Sequence, residues 1–350
     1  MQTFCCITRQ CPPCIKLNYF SLLAAYGFKA DMLSIRGNKP RRRTSLEYLF
    51  ILIGLVGLFF GGEALVRGSV SIAQRMSISP LIIGLTIVGF GTSTPELLVS
   101  VQAAMCGVPD IAVGNIIGSN IANILLILGL TSLVWPIRIA ATSLPRDFAF
   151  LIASALLLIP LFAIGEIDRV SGLLLVAGLV VYLVWTFIVS RQDKTIDKPP
   201  SAQSPVIVSV IWVAFGFAAL LLGARFLVDG AVSVARSFSV SEAFIGLTIV
   251  AVGTSLPELA TSLIAAFRRQ SDIAIGNVIG SNIFNLLGIL GVTALIAPIS
   301  VSGRFLNFDL PVMIGVSSAL VGLILARSKI SRGTGAVMLM GYATYVFAAQ

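Results

Sequence analysis

Residues 91–97 read GTSTPEL, and 253–259 read GTSLPEL. Each heptad lies inside an apolar run; the first of these, PLIIGLTIVGFGTSTPELLVSVQAAM, extends from Pro80 to Met105. A carboxylate at the centre of a bilayer costs about 2.5–3.5 kcal/mol on insertion scales, and such a residue is functional by default. Proline brings no amide hydrogen, and its ring presses on the carbonyl four residues earlier. For Pro95 and Pro257 that carbonyl belongs to Gly91 and Gly253. The reading therefore predicts a helix break at both heptads that offers backbone oxygens to a cation. Irregular backbone at membrane depth is tolerated only where it is buried in protein or lines a cavity.

Working outward, the two heptads belong to a duplication. Residues 84–104 match 246–266 at 14 of 21 positions, and DIAVGNIIGSNIANILLILG (110–129) matches DIAIGNVIGSNIFNLLGILG (272–291) at 15 of 20, both at an offset of 162. Ten apolar spans are expected, near 48–74, 80–106, 110–134, 148–165, 170–190, 205–236, 242–267, 272–297, 308–326 and 333–349. The polar stretch RQDKTIDKPPSAQSP, from 191, divides them five and five. An odd number of spans per copy makes the second copy enter the membrane from the opposite side, as in many transporters whose site lies between inverted repeats. The expected fold is an all-α membrane protein of two inverted five-helix repeats: an N-terminal extension (1–45), a first repeat (46–190), a linker (191–204) and a second repeat (205–350).

Composition agrees. Of 350 residues, 57% are hydrophobic and 11% charged, with a mean hydropathy of +0.99, against about 25% charged in soluble domains. Continuous apolar runs without alternation exclude a β-barrel. The net charge of +9 is no nucleic-acid signal: residues 1–45 carry 8 Lys+Arg and one acid, Asp31, so the rest of the chain is only +2. That extension also holds Cys5, Cys6, Cys11 and Cys14, and with no histidine in the chain a zinc site there is not expected. It is read as an unstructured extension, not as a signal peptide, because YFSLLAAYGF is followed by Lys29 and Asp31 instead of a small-residue cleavage site. Loop charges, eleven basic residues against three, favour an external N-terminus, although RGNKPRRRTS before the first span argues the other way.

Thr92 and Glu96 are four residues apart and share a helix face, with Ser93 on the flank; Ser119 and Asn123 repeat the spacing. The second copy supplies Thr254, Ser255, Glu258, Ser281 and Asn285. Every one of these side chains presents oxygen, which suits hard cations such as Ca²⁺ with its about 6–8 oxygen ligands. Gly114/Gly118 and Gly276/Gly280 are read as close helix packing. Glu63 and Arg67, like Arg225 and Asp229 at their repeat positions, are read as structural ion pairs that neutralise themselves.

With these heptads and the two GNxIGSNIxN segments, the chain resembles the cation/Ca²⁺ antiporter superfamily, most of all its prokaryotic sodium/calcium exchanger branch. The resemblance covers about residues 46–350. It implies that Glu96 and Glu258 stand at the centre of the ion sites, joined by the hydroxyls of Thr92, Ser93, Thr254, Ser255, Ser119 and Ser281 and by backbone oxygens of Gly89 and Ala251. Asn123 and Asn285 are both amides where some relatives carry Asp in one repeat, so the embedded charge is −2 when both acids are ionised. The expected function is exchange of Ca²⁺ for Na⁺ by alternating access in a prokaryotic cell membrane. The alternatives are H⁺ as counter-ion or a requirement for K⁺. No cofactor, enzymatic activity, nucleic acid or protein partner is expected beyond the transported cations and the lipid bilayer. A channel is disfavoured because channels favour rings of equivalent subunits.

Overall fold

In a computed structural model the described residues are 44–76, 78–138, 144–190, 205–238 and 251–349. All but the last two residues of the expected extension, the whole linker 191–204 and the start of the seventh expected span lie outside them. The elements are α1 (Thr44–Met76), α2 (Pro80–Thr92), α3 (Thr94–Met105), α4 (Pro109–Val134), β1 (Ile137–Arg138), α5 (Leu144–Ile164), β2 (Glu166–Ile167), α6 (Arg169–Ser190) and α7 (Val206–Ser237). They continue with α8 (Ala251–Thr254), α9 (Leu256–Phe267), α10 (Ser271–Ile296), β3 (Ile299–Ser300), α11 (Phe305–Arg327), β4 (Lys329–Ile330) and α12 (Arg332–Ala348). Among the described residues, seven helices are long and apolar enough to cross a bilayer, and an eighth crossing arises if the bent pair α2–α3 counts as one. Helix α9 has 12 residues and α12 has 17, below the about 20 that a membrane-normal span needs.

The burial pattern is that of a protein in lipid. Large apolar side chains such as Leu52, Phe59, Phe60, Val181, Trp185 and Ile211 face outward, while Glu96, Asn123, Glu258 and Asn285 are each at most 1% exposed. With lipid tails as apolar as leucine, helices gain nothing by hiding leucine and associate through close packing and interhelical hydrogen bonds.

Close packing is clearest between α1 and α7. Gly54, Gly61 and Gly68 lie at seven-residue intervals on α1, and Gly216, Gly223 and Gly230 stand at the same intervals on α7. A Cβ on Gly61 would come 2.7 Å from the Leu220 amide nitrogen, and one on Gly216 2.6 Å from that of Leu65. Gly54, Gly61 and Gly68 meet Leu227, Leu220 and Val213 in turn, so the two helices run antiparallel. Gly276 of α10 packs in the same way on α2, where a Cβ would come 2.7 Å from the Leu81 carbonyl, and Gly280 sits against Leu85. The expected packing role of Gly276/Gly280 is thus seen. The segment equivalent to α2 in the second copy, 242–250, lies outside the described residues, so the matching partner of Gly114/Gly118 does too.

Two short antiparallel ribbons cross-link the copies: β1 pairs with β4 (Ile137 opposite Ile330, Arg138 opposite Lys329), and β2 pairs with β3 (Glu166 opposite Ser300, Ile167 opposite Ile299). Each joins a loop of the first half to a loop of the second.

Candidate cation site

The site begins at the two breaks. Helix α2 stops at Thr92, Ser93 takes φ −81° and ψ 10°, and α3 restarts at Thr94 with a 44° bend. Ser255, between α8 and α9, takes nearly the same conformation, φ −91° and ψ 8°. Pro95 and Pro257 follow two residues later, in the first turn of the new helix, where the missing amide leaves no helical bond unmade. Glu96 and Glu258 therefore occupy the first turns of α3 and α9, beside the positive end of the helix dipole.

The Gly91 carbonyl, one of the backbone oxygens the break was expected to offer, accepts the Thr94 hydroxyl at 2.9 Å. Gly91 also makes room for α7: a Cβ there would run into the Phe217 ring, and one on Gly253 would come 2.5 Å from Val228.

The copies complete each other. Ser93 Oγ donates to Glu258 Oε1 at 3.0 Å, and Ser255 Oγ donates to Glu96 Oε1 at 3.1 Å. Each acid is thus held by the break of the opposite half, three residues before the other acid. The second carboxylate oxygens, Glu96 Oε2 and Glu258 Oε2, are fully buried and have no hydrogen-bond partner among the described residues. Asn123 Nδ2 donates to Asn282 Oδ1 and Asn285 Nδ2 to Ser119 Oγ, both at 3.0 Å, leaving the Oδ1 atoms of Asn123 and Asn285 equally unpartnered. These four buried oxygens have no donor among the described residues, and oxygen acceptors of this kind are what a hard cation stabilises. No group of three or more His, Cys, Asp or Glu occurs among the described residues, so amide, hydroxyl and backbone oxygens would have to complete a coordination shell.

The remaining expected residues are accounted for. Thr92 Oγ1 lies 3.0 Å from the Val88 carbonyl and 3.1 Å from Asn277 Oδ1. Ser281 Oγ donates to the Gly89 carbonyl at 3.0 Å, and Ser119 Oγ to that of Ile116 at 3.1 Å. Ala251 opens α8, and Thr254 ends it with contacts of its own. Sequence reading did not single out Asn115 and Asn277. Asn277 Nδ2 donates to the Glu258 carbonyl (3.2 Å) and to Ser262 Oγ (2.9 Å), and Asn115 does the same for Glu96 (3.1 Å) and Ser100 (2.9 Å). They pin the acid-bearing turns to α4 and α10. Their identity within both GNxIGSNIxN segments was the available signal.

Glu63 pairs with Arg67, as expected, and also with Arg268 at the end of α9, with Arg268 Nε 2.8 Å from Glu63 Oε2. Arg225 and Asp229 stand 3.9 Å apart. Two other embedded acids are tied to tyrosines and lie outside the centre: Asp147 accepts from Tyr182 (3.3 Å) and Asp309 from Tyr345 (2.9 Å).

Comparison with known proteins shows the family of the chain. The family model described as sodium/calcium exchanger protein matches residues 46–188 and 208–349. The chain belongs to the sodium/calcium exchanger family. CaxA of Alkalimonas amylolytica is 42% identical over 85% of this chain and 97% of its own length. The sodium/calcium exchanger MaX1 of Methanosarcina acetivorans is 31% identical over 86% of this chain and 98% of its own length. The inner membrane protein YrbG of Escherichia coli K12 is 34% identical over 86% and 96%. Among solved structures, the sodium-calcium exchanger NCX_Mj soaked with Na⁺ and Sr²⁺ superposes with a TM-score of 0.76 at 34% identity, covering 87% of this chain and 98% of that one. As an exchanger, the protein is an integral membrane transporter that exchanges Ca²⁺ for Na⁺ across the plasma membrane.

Proposed function

We propose that Glu96 and Glu258, with Asn123, Asn285 and the hydroxyls of Thr92, Ser93, Ser119, Thr254, Ser255 and Ser281, form one centre that Ca²⁺ and Na⁺ occupy in turn. The Gly89 and Ala251 carbonyls assist. The observation that carries this reading is the reciprocal pair of Ser–Glu hydrogen bonds, each leaving a buried carboxylate oxygen without a donor. The two acids carry −2 when ionised, which one Ca²⁺ or two Na⁺ neutralise.

The ten-span, inverted-repeat topology completes the proposal, with repeats at 46–190 and 205–350, linker 191–204 and extension 1–45. Three observations support it. Equivalent helices α1 and α7 run antiparallel. The β1–β4 and β2–β3 ribbons join loops that ten alternating spans place on common sides of the membrane. The family match itself falls in two stretches of nearly equal length. Under this topology α1 and α7, joined along their glycine seam, move as one unit past the breaks that α7 touches at Gly91 and Gly253. Moving an empty, doubly charged centre past an apolar seal is prohibitively costly, whereas a neutralised one can pass, so exchange is obligatory.

The test is Ca²⁺ uptake into proteoliposomes under an imposed Na⁺ gradient, and separately under a pH gradient alone. Uptake in the first arm is expected. Uptake only in the second would assign the counter-ion to H⁺ and overturn the Na⁺ reading.

A further inference from the structure

A cavity of about 560 Å³ opens where three loops meet, lined by Trp135 and Arg138 after α4, Arg269 and Asp272 between α9 and α10, and Lys329 of β4. It stands at the ends of membrane-crossing helices, beside a half-exposed tryptophan of the kind enriched at headgroup level. Its charge is three cations to one acid, a field that repels Ca²⁺ and Na⁺, so it does not suit an ion entrance.

Three features set these basic groups apart from fold-stabilising ion pairs. In the ribbon, Arg138 stands directly opposite Lys329, and like charges in that position destabilise a strand pair. Among the described residues, none of Arg138, Arg269 and Lys329 forms an ion pair; the Arg269 guanidinium lies instead over the Trp135 ring, 5.2 Å from its centre. Arg269 also holds a left-handed backbone, φ 59°, where its repeat equivalent is Gly107 at φ 72°. A long side chain at a glycine position is a conformational cost accepted for what the side chain does. The corresponding end of the other half has the same backbone without the charge: Ser300 replaces Arg138, Gly107 replaces Arg269, and Ser300 pairs with Glu166.

We propose that this cavity binds the phosphate headgroup of an acidic phospholipid. A phosphate between the three cations relieves their mutual repulsion and receives charge-assisted hydrogen bonds, while the acyl chains continue along the apolar helix surfaces below. Basic pockets between helices on the cytoplasmic side bind anionic headgroups in this way, and the loop charges favour that side for this face. Bound lipid would anchor the 268–272 connector, which links the helix of Glu258 to that of Ser281 and Asn285, and so set how readily the half-site moves.

The test is thermal melting of the purified full-length protein in neutral detergent, titrated with phosphatidylglycerol, phosphatidylcholine or inorganic phosphate. A saturable rise in Tm is expected with phosphatidylglycerol alone. Its half-saturating concentration should increase about fivefold for each basic group removed in R138Q, R269G and K329Q, and roughly a hundredfold in the triple variant. R269G keeps the backbone its repeat equivalent already uses, so its own Tm without lipid should hold or rise. R169Q, at the opposite end, should titrate like the parent. A triple variant with the parent's half-saturation overturns the assignment, and so does an equal shift from phosphatidylcholine. Millimolar inorganic phosphate reproducing the shift would overturn the lipid as the source of the anion.

Discussion

Replacing Glu258 with Gln tests the site most directly, because the change removes charge with little change in shape. The carboxylate is 1% exposed, its Oε1 accepts the Ser93 hydroxyl, and its Oε2 has no hydrogen-bond donor among the described residues. A glutamine oxygen can still accept from Ser93, so the local structure has no reason to collapse. The centre drops from −2 to −1. At about 4 Å and an effective dielectric near 20, one unit charge attracts a monovalent ion by roughly 4 kcal/mol and a divalent ion by roughly 8 kcal/mol. Removing it therefore weakens Ca²⁺ by roughly 4 kcal/mol more than Na⁺, on the order of a thousandfold in relative affinity. The assay is Na⁺-gradient-driven ⁴⁵Ca²⁺ uptake by E258Q in proteoliposomes, with detergent melting as the control for folding. Uptake at background and an unchanged or raised Tm without ions are expected, since a buried charge without a full set of partners has been deleted. A folded E258Q that exchanges within twofold of the parent would refute the reasoning, and E96Q should behave in the same way.

Three further outcomes follow from the geometry. S93A and S255A each remove the hydroxyl donor on one acid (3.0 and 3.1 Å), a charged hydrogen bond of about 1.5–3 kcal/mol; the KM for Ca²⁺ should rise by similar factors in both, and a tenfold inequality would contradict the equivalence of the halves. G276A pushes a Cβ to 2.7 Å from the Leu81 carbonyl and should cost about 1–3 kcal/mol of stability, read as a lower Tm; an unchanged Tm would show that α2 and α10 can part at no cost. R268Q removes the cross-helix pair to Glu63, whose partner Arg268 is 50% exposed in the absence of lipid, and Arg67 remains; the stability loss should stay below about 1 kcal/mol, and a larger drop in Tm would mean the pair is a principal tie between α1 and α9.

Much of this was legible in the chain because a membrane imposes simple rules. Apolar runs had to be helices, the 162-residue offset had to mean two related halves, and a glutamate following a proline in each half had to be costly unless used. The heptad-spaced glycines at 54, 61, 68 and 216, 223, 230 were equally visible in the chain, and they form the α1–α7 seam. Fixed spacing along one strand of chain could not show partners across the halves. That Ser93 serves Glu258 and not its own neighbour Glu96, that Thr92 meets Asn277, and that Gly91 yields to Phe217 are contacts between residues up to 185 apart. The same holds for Arg138, Arg269 and Lys329, scattered over 191 positions and gathered into one cavity. Local chemistry determined which residues were too costly to leave unpartnered in lipid; only the packing of one half against the other decided which groups they meet, because a hydrogen bond or a charge is felt over a few ångströms of space, whatever its distance along the chain.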